Sequence, residues 1–337
     1  MNELGKISRD TACANRISHL NIDDVSAGQR IDNFLLRIYK RIPKSHIYRI
    51  LRSGEVRVNQ GRINASYRLE FGDIVRVPPI WEERPSPTFP ICVRAATFPV
   101  LYEDDYMIVL NKPADIAVHG GSGVSFGVIE QMRAARPHAR MLELVHRLDK
   151  GTSGVLLLAK KRAALVSLHK QIRKGCMDKR YLTCAYGEWP TEWGMRYTVK
   201  APLRKYLSAN GERRVCVQLD GLASHTVFNL RKRLGNYLLL EGELKTGRTH
   251  QIRVHLAHLH LPIIGDDKYG NYLLNKHHAR YNARPGLSRM FLHAWKLSIK
   301  HPANGAALMF EAPLPTECAI FLQQLTDMLG ADGTQTV

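Results

Sequence analysis

Paired cysteines and long apolar runs are both missing from this sequence, and each absence excludes a class of protein. The six cysteines among 337 residues form no CxxC pair, so neither a structural zinc site nor a disulfide framework is indicated. No stretch approaches the roughly 20 apolar residues that cross a bilayer, and the first 25 residues lack a continuous apolar segment. We therefore expect a globular, monomeric protein of the cytoplasm with no membrane partner.

Signatures of nucleotide-dependent and metal-dependent enzymes are missing as well. The sequence has no Walker loop, no GxGxxG after a strand and no HExxH motif. His255 and His258 are three residues apart on one face of a predicted helix, which would suit zinc, but the neighbouring arginines would repel a cation. We therefore predict no cofactor and no metal.

Positive charge is plentiful. Lysine and arginine total 49 against 30 acidic residues, a formal charge of +19, which is typical of a protein that binds a polyanion. Nucleic acid is the leading candidate for that polyanion. The alternative is a basic protein with no such partner.

Residues 27–80 predict a small helix-helix-strand domain with a basic face. Ile31, Phe34, Leu35 and Ile38 have the spacing of an amphipathic helix, and a second helix begins after Pro43. "RIDNFL", "IYRILRSGEVRVN" and "GDIVRVP" resemble the αL RNA-binding motif shared by a ribosomal protein and several RNA-modifying enzymes. The basic residues expected to contact RNA phosphates, rather than simply forming a solvated face, are Arg30, Lys40, Arg41, Lys44, Arg49, Arg52 and Arg57.

The remaining chain divides into four further segments. Residues 1–26 are expected to be an N-terminal extension, and residues 81–98 a proline-rich linker. Residues 99–329 alternate apolar strand-like runs with helical stretches, which predicts an α+β domain, and residues 330–337 are expected to be a frayed tail.

One acid stands out in the α+β segment. In "VHRLDKGTSGVLLLAK", residues 145–160, Asp149 lies between Arg147 and Lys150, just ahead of a predicted buried strand. Nearby cations favour the charged form of a carboxylate, which suits a nucleophile or a general base. An ordinary ion-paired turn residue is the alternative.

Three more stretches in this segment could bear on function. "LKTGRTHQIRVHLAH", residues 244–258, concentrates basic residues that suit phosphates. "VLNKPADIAVHGGSG", residues 109–123, reads as a strand entering a loop that approaches a ligand closely. Tyr181 opens a strand and is suited either to stacking on an unpaired base or to a place in the core.

Taken in order, "KPADIAVHGG", "HRLDKGTSG", "KRYLTCAYG" and "TGRTHQIRVH" resemble the signature of the RluA family of pseudouridine synthases. The resemblance covers about residues 27–325 and implies a catalytic domain built on a mixed, largely antiparallel sheet. The implied reaction removes a uridine from its stack in RNA, cuts the base from the ribose and rejoins it through ring carbon five, without a cofactor.

The resemblance also implies roles for individual residues. Asp149 would be the essential acid, and Arg253 would pair with it and orient it. Tyr181 would stack on the uracil and help to remove a proton, while Arg147 would displace and replace the flipped nucleotide. Further RNA contacts are expected from Lys112, His119, Arg248 and His250.

Within the family, segments such as "AGQRIDNFL", "HGGSG" and "ELVHRLD" favour the branch that modifies large-subunit ribosomal RNA, either free or in an assembling particle. Alternatives are the RluD-like ribosomal and RluA-like transfer RNA branches, a non-catalytic RNA-binding or ribosome-assembly protein, and a base-excising glycosylase. Two pairs depart from the family pattern, namely Ala114-Asp115, where Ser-Gly is commoner, and Lys150-Gly151. Asp115 adds negative charge to a loop expected near RNA.

Overall fold

The computed structural model describes residues 17–39, 42–80, 97–120, 126–209, 211–280 and 284–332. The chain divides into two compact units, residues 1–92 and 93–337. Most of the predicted extension and linker, namely residues 1–16 and 81–96, lies outside the described residues, as do residues 333–337 of the predicted tail. Among the described residues, no helix is both long and apolar enough to cross a membrane.

In the described part of the small unit, two helices, α1 (Ile31–Ile38) and α2 (Lys44–Arg52), pack on a four-stranded sheet. The strands are β1 (Ser18–Asn21), β2 (Arg57–Val58), β3 (Gly61–Arg62) and β4 (Ile74–Val77), in the order β1-β4-β2-β3. Three of the four apolar residues that predicted α1 are buried, but Ile38 is 41% exposed because it lies at the last position of the helix.

The small unit begins earlier than the sequence indicated. Strand β1 lies within the segment assigned to the N-terminal extension, yet it pairs along its whole length with β4, from Ser18 opposite Val77 to Asn21 opposite Ile74. Its short alternating pattern, SHLN, carries a single large apolar residue, which is too weak a signal for a strand.

The described residues of the large unit form ten strands in one sheet and a separate hairpin. The ten are β5 (Val100–Glu103), β6 (Met107–Lys112), β7 (Glu143–Leu144), β8 (Ser153–Ala159), β9 (Asp178–Tyr186), β10 (Arg196–Val199), β13 (Thr226–Leu234), β14 (Tyr237–Leu244), β15 (Leu292–Lys300) and β16 (Ala307–Glu311). The hairpin consists of β11 (Leu203–Leu207) and β12 (Arg213–Val217).

The main path through the large sheet is β10-β13-β14-β9-β15-β8-β6-β5, with β16 paired to β15 and β7 paired to β8. Among the described strands, β8 and β15 form the one parallel pair. The sheet is therefore mixed and largely antiparallel, and the predicted α+β fold class is confirmed.

Helices flank this sheet. They are α3 (Val128–Ala135), α4 (Arg162–Arg173), α5 (Gln251–His258), α6 (Tyr272–His278) and α7 (Thr316–Asp332), together with a short 3-10 helix at Thr191–Trp193. Helix α7 extends three residues, 330–332, into the segment predicted to be a frayed tail.

The position of β8 inside the sheet explains why its sequence is almost continuously apolar. All seven of its residues, SGVLLLA, are buried because the strand has neighbours on both edges and packed layers on both faces. Gly154 enters this strand at a φ of +108°, and a Cβ there would lie 2.2 Å from the carbonyl oxygen of Ala294. Only glycine permits this close approach of β8 to β15.

Candidate active site

Asp149 lies in the loop between β7 and β8, where its carbonyl oxygen accepts a hydrogen bond from the Thr152 amide at 3.1 Å. The parallel pairing of Ser153 with His293 fixes the end of this loop on β15. The side chain of Asp149 is 20% exposed and lines an open cleft. The backbone of this loop is therefore held in place, and it presents the Asp149 carboxylate to the cleft.

Arg253, in α5, is the arginine that faces Asp149. Its Nη1 lies 3.5 Å from Asp149 Oδ2, which is a long contact for an ion pair. The same guanidinium donates to Asp266 from Nε at 2.7 Å and from Nη2 at 2.6 Å, and Nη2 also reaches Asp267 Oδ1 at 3.2 Å. Burial opposes the charged form of Arg253, but the hydrogen bonds to Asp266 and the nearby carboxylate charges outweigh it and raise the pKa.

Tyr181 lines the same cleft from β9, where it pairs with Gly242 of β14 and Ala294 of β15. It is 8% exposed and packs into the main apolar core of the large unit. Burial, with a further contribution from the negative charge of Asp149, raises the pKa of its phenol well above the usual value. Tyr181 is thus both part of the core and part of the cleft wall.

Arg147 is exposed and lines the cleft. Among the described residues, the basic groups with a nitrogen within 4.0 Å of the Asp149 carboxylate are Arg253 and His250. The second basic group beside the acid is therefore His250 and not Arg147, its neighbour in the sequence.

His250 directly precedes α5 and adopts a left-handed backbone with a φ of +54°. Its Nε2 lies 3.9 Å from Asp149 Oδ2, and its Nδ1 is 2.9 Å from the Tyr269 hydroxyl. Burial lowers the pKa of His250, and the negative charge of Asp149 partly offsets that effect. His250 was expected to contact RNA, and it lines the cleft where such a contact would occur.

Three residues of the site were missed by sequence reasoning, namely Asp266, Asp267 and Tyr269. Asp266 is buried beneath Arg253, while the Tyr269 ring centroid lies 5.1 Å from the guanidinium carbon of Arg253. The Tyr269 hydroxyl also accepts a hydrogen bond from the Val215 amide at 2.9 Å. The available signal was "GDDKYG", residues 265–270, which places two adjacent acids beside an aromatic residue in a basic chain.

Lys112 is not available to RNA in this structure, which corrects its assignment as an RNA contact. Its side chain is fully buried, and Nζ donates to the carbonyl oxygens of Pro113 at 2.7 Å, Ile116 at 2.8 Å and Lys150 at 3.1 Å. Burial, with a smaller contribution from the charge of Arg289, lowers the pKa of Lys112 to about 7. Lys112 therefore ties the 113–116 loop to the loop that carries Asp149.

The loop after β6 has one of the two departures from the family pattern. Asp115 adopts a left-handed backbone with a φ of +63°. This conformation explains why glycine suits the position, and aspartate is among the few other residues that tolerate it. His119, at the other end of the described part of this loop, is exposed.

The remaining predicted RNA contacts divide by their partners. Arg248 is exposed in the cleft, and its Nε donates to the Ala223 carbonyl at 3.1 Å. In the small unit, Lys44, Arg52 and Arg57 are exposed, whereas Lys40 and Arg41 lie outside the described residues.

Two arginines of the small unit are engaged by acids. Arg30 forms a bidentate pair with the buried Asp32, at 3.1 and 2.6 Å, and Arg49 pairs with Glu55 at 3.2 Å. Burial opposes the charged form of Asp32, but the hydrogen bonds from Arg30, the Asn33 amide and Tyr48 together lower its pKa. Arg30 therefore contributes to the fold of the small unit, and counting it as an unpaired cation overstates the basic face.

His255, which was weighed as a zinc ligand, has a structural role instead. It is fully buried, and its ring nitrogens lie 2.9 Å from the hydroxyl oxygens of Thr226 and Ser224. Within the described parts of the chain, no group of three or more potential ligand residues could hold a metal ion.

Comparison with known proteins identifies both units. Residues 106–258 match the family model described as RNA pseudouridylate synthase, and residues 29–75 match that of the S4 domain. The chain is 50% identical over 304 residues to a protein of Escherichia coli (strain K12) named ribosomal large subunit pseudouridine synthase C, covering 89% of this chain and 93% of that protein. A protein of Pasteurella multocida with the same name is 48% identical over 315 residues, which cover 92% of this chain and 94% of that protein.

A solved structure described as human RNA pseudouridylate synthase domain containing 1 has a fold similar to that of this chain. It superimposes with a TM-score of 0.53 at 24% identity, covering 72% of this chain and 97% of that chain.

Proposed function

Because this chain belongs to the RluA family of pseudouridine synthases, we propose that it isomerises specific uridines of large-subunit ribosomal RNA. As a member of that family it is an isomerase that converts uridine in RNA into pseudouridine. The ribosomal substrate is supported by the names of its relatives and by an S4 RNA-binding domain over residues 29–75.

The observation that carries the catalytic proposal is the convergence of three side chains on one cleft. Asp149 comes from the loop before β8, Tyr181 from β9 and Arg253 from α5, and all three line that cleft. These elements are distant in the sequence, so only the fold brings the three together. A carboxylate with one guanidinium behind it and an aromatic ring beside it suits a flipped pyrimidine nucleotide.

In the proposed reaction, the bond between ribose C1′ and uracil N1 breaks and a bond between C1′ and C5 forms. The proton on C5 is then lost, and N1 becomes protonated, so that atoms and charge balance. The carboxylate of Asp149 either attacks the ribose as a nucleophile or removes a proton to form a glycal-like intermediate. Both routes use the same group in the same place.

The neighbouring residues would support this carboxylate. Arg253 would keep Asp149 oriented, Tyr181 would stack on the uracil and Arg147, exposed in the cleft, would occupy the gap left in the RNA by the flipped nucleotide. His119 and Arg248 would contact the RNA around the target, and Lys44, Arg52 and Arg57 would contact phosphates elsewhere. We propose that the enzyme acts as a monomer in the cytoplasm, without a metal or cofactor, on free or assembling ribosomal RNA.

The experiment is a carbodiimide-based map of pseudouridines in ribosomal RNA from cells with and without the gene, complemented with wild type or with Asp149→Asn. We expect defined large-subunit signals to vanish without the gene and to return only with wild type. Asp105→Asn, which changes an exposed acid just before β6, is the matched control and should restore the signals. An unchanged ribosomal map together with lost transfer RNA signals would instead identify the transfer RNA branch.

Purified Asp149→Asn protein completes the test. We expect it to fold and to bind RNA nearly as wild type does, because Asp149 is partly exposed and makes only long ion-pair contacts. Turnover within tenfold of wild type would contradict the assignment of the catalytic acid. Release of free uracil would point to a glycosylase instead.

A further inference from the structure

A second cavity adjoins the catalytic cleft, and we infer that it binds the base of a nucleotide next to the target uridine in the RNA chain. This inference rests on the proposed function. The cavity has a volume of about 370 Å³, within the range of small-molecule sites. It lies between the β11–β12 hairpin, the turn at 220–222 and the loop at 247–249.

The position of the cavity is the first argument. Gly247, Arg248 and Thr249 line both the catalytic cleft and this second cavity, so that one loop separates the two. The bond from Arg248 Nε to the Ala223 carbonyl ties that loop to the segment just after the 220–222 turn. An RNA whose target nucleotide fills the catalytic cleft would therefore bring an adjacent nucleotide to this cavity.

The lining chemistry is the second argument. Leu203 and Val215 are buried and form an apolar floor that also packs against Val254 of α5, the helix that carries Arg253. Leu222, 62% exposed, forms one side. An apolar floor under a polar rim suits a nucleobase, because its faces are apolar and its edges are polar.

Charge is the third argument. The rim carries Arg204, Lys205 and Arg248 against a single acid, Asp220, which Arg204 pairs with at 2.8 Å. The excess positive charge suits the phosphates on either side of a bound base. An uncharged peptide or lipid would gain nothing from it.

The turn that closes the cavity is held in place by the backbone. Leu203 and Leu222 exchange two backbone hydrogen bonds of 2.9 Å, and a Cβ on Gly221 would lie 2.6 Å from the Leu203 carbonyl carbon. The cavity is thus formed by fixed backbone, and side-chain changes at exposed positions of the turn should leave its walls standing.

The test uses Leu222→Asp, which places a negative charge in the cavity at an exposed position. Leu219→Asp is the matched control, since Leu219 is 95% exposed in the neighbouring sequence but does not line the cavity. The substrates are three short RNAs around a uridine that wild type converts: the intact sequence, and versions with an abasic ribose on the 5′ or the 3′ side. The readout is kcat/KM for pseudouridine formation.

We expect wild type and Leu219→Asp to lose about tenfold in kcat/KM with one of the two abasic RNAs, as the loss of one pocket contact implies. Leu222→Asp should be slower on intact RNA by a similar factor and should show no further loss with that abasic RNA. Equal wild-type rates on all three RNAs, or a full abasic penalty in Leu222→Asp, would overturn the inference. Failure of the proposed function looks different, because wild type would then convert no uridine of large-subunit ribosomal RNA and no such short substrate could be chosen from it.

Discussion

Arg253 and Asp266 form a bidentate ion pair, with Nε to Oδ2 at 2.7 Å and Nη2 to Oδ1 at 2.6 Å, and this pair is tighter than the 3.5 Å contact between Arg253 and Asp149. Asp266 therefore fixes the guanidinium from behind. The third nitrogen, Nη1, is left to face Asp149, so the Asp149 carboxylate is oriented without being tightly bound. This leaves Asp149 accessible to a substrate.

The first prediction follows from that pair. We expect Asp266→Asn to lower kcat on the order of 100-fold, because Arg253 would lose the partner that sets its direction and a small misplacement is costly in catalysis. Asp266 is fully buried, so the variant should also be less stable by roughly 3 kcal/mol. Steady-state kinetics and urea denaturation would measure the two effects.

Asp267→Asn is the matched control for this experiment. The Asp267 side chain also contacts Arg253, but it is 82% exposed. We expect a stability change within about 0.5 kcal/mol and nearly normal kcat. Equal loss of kcat in both variants would show that the buried pair has no special part in orienting Arg253.

The second prediction concerns the proton on Tyr181. Burial and the charge of Asp149 raise the pKa of Tyr181, so the phenol should remain protonated throughout the range in which the enzyme is active. We expect the pH profile of kcat/KM to show no ionisation assignable to Tyr181 near the ordinary tyrosine value of about 10. Comparison of wild type with Tyr181→Phe, which keeps the ring, provides the measurement. An inflection near that pH, present in wild type and absent from the variant, would contradict this reading.

The third prediction concerns the small unit. Replacing Lys44, Arg52 and Arg57 together by alanine should weaken binding to structured RNA and reduce the slope of log K against log salt by about 3, if each residue neutralises one phosphate. The slope is obtained from binding titrations at several salt concentrations. Arg49→Ala should change the slope less than Arg52→Ala does, because Arg49 is already paired with Glu55. An unchanged slope in the triple variant would mean that these side chains are merely solvated.

The fourth prediction concerns stability at low pH. His293 is fully buried, with Nδ1 2.9 Å from the Ser153 hydroxyl and Nε2 3.1 Å from the Ala312 carbonyl, and burial lowers its pKa to about 4. The unfolded chain, with a histidine pKa near 6.5, binds the proton more readily than the folded protein does. Stability should therefore be fully present above about pH 6.5 and should fall as the pH drops towards 4.

Protonation linked to His293 should lower the free energy of unfolding at pH 5 by roughly 2 kcal/mol relative to neutral pH. Urea denaturation of wild type and His293→Gln between pH 5 and pH 8 would measure it. We expect the variant to be less stable at pH 8 but to lose less on acidification. Parallel pH dependences in the two proteins would rule out His293 as a source of the acid sensitivity.

Much of the fold and the cleft could be predicted from local sequence. The continuous apolar run of β8 indicated a buried strand because a central strand is covered on both faces, and the motif before it located Asp149. The spacing of apolar residues similarly located α1 and α2. These signals are local, so they can be interpreted without knowledge of the tertiary fold.

The remaining features depend on contacts between distant segments. Lys112 looks like any other cation in the sequence. Two of its three carbonyl acceptors, those of Pro113 and Ile116, are local, but the third belongs to Lys150, 38 residues later, and only the fold brings it near. Asp266 and Arg253 are 13 residues apart, and the chain must turn after α5 for them to meet. A count of basic residues cannot separate such internal cations from those on the surface.

At His250, folding stability and the contacts of the cleft favour different residues. The left-handed backbone at this position costs a residue with a Cβ roughly 1 to 2 kcal/mol, a penalty that glycine would not incur. Glycine, however, would remove the imidazole that reaches both Asp149 and Tyr269. A search for heat-resistant variants that scored folding alone would therefore be drawn towards residue 250, where the gain would come from relief of the backbone penalty and the cleft would lose its imidazole.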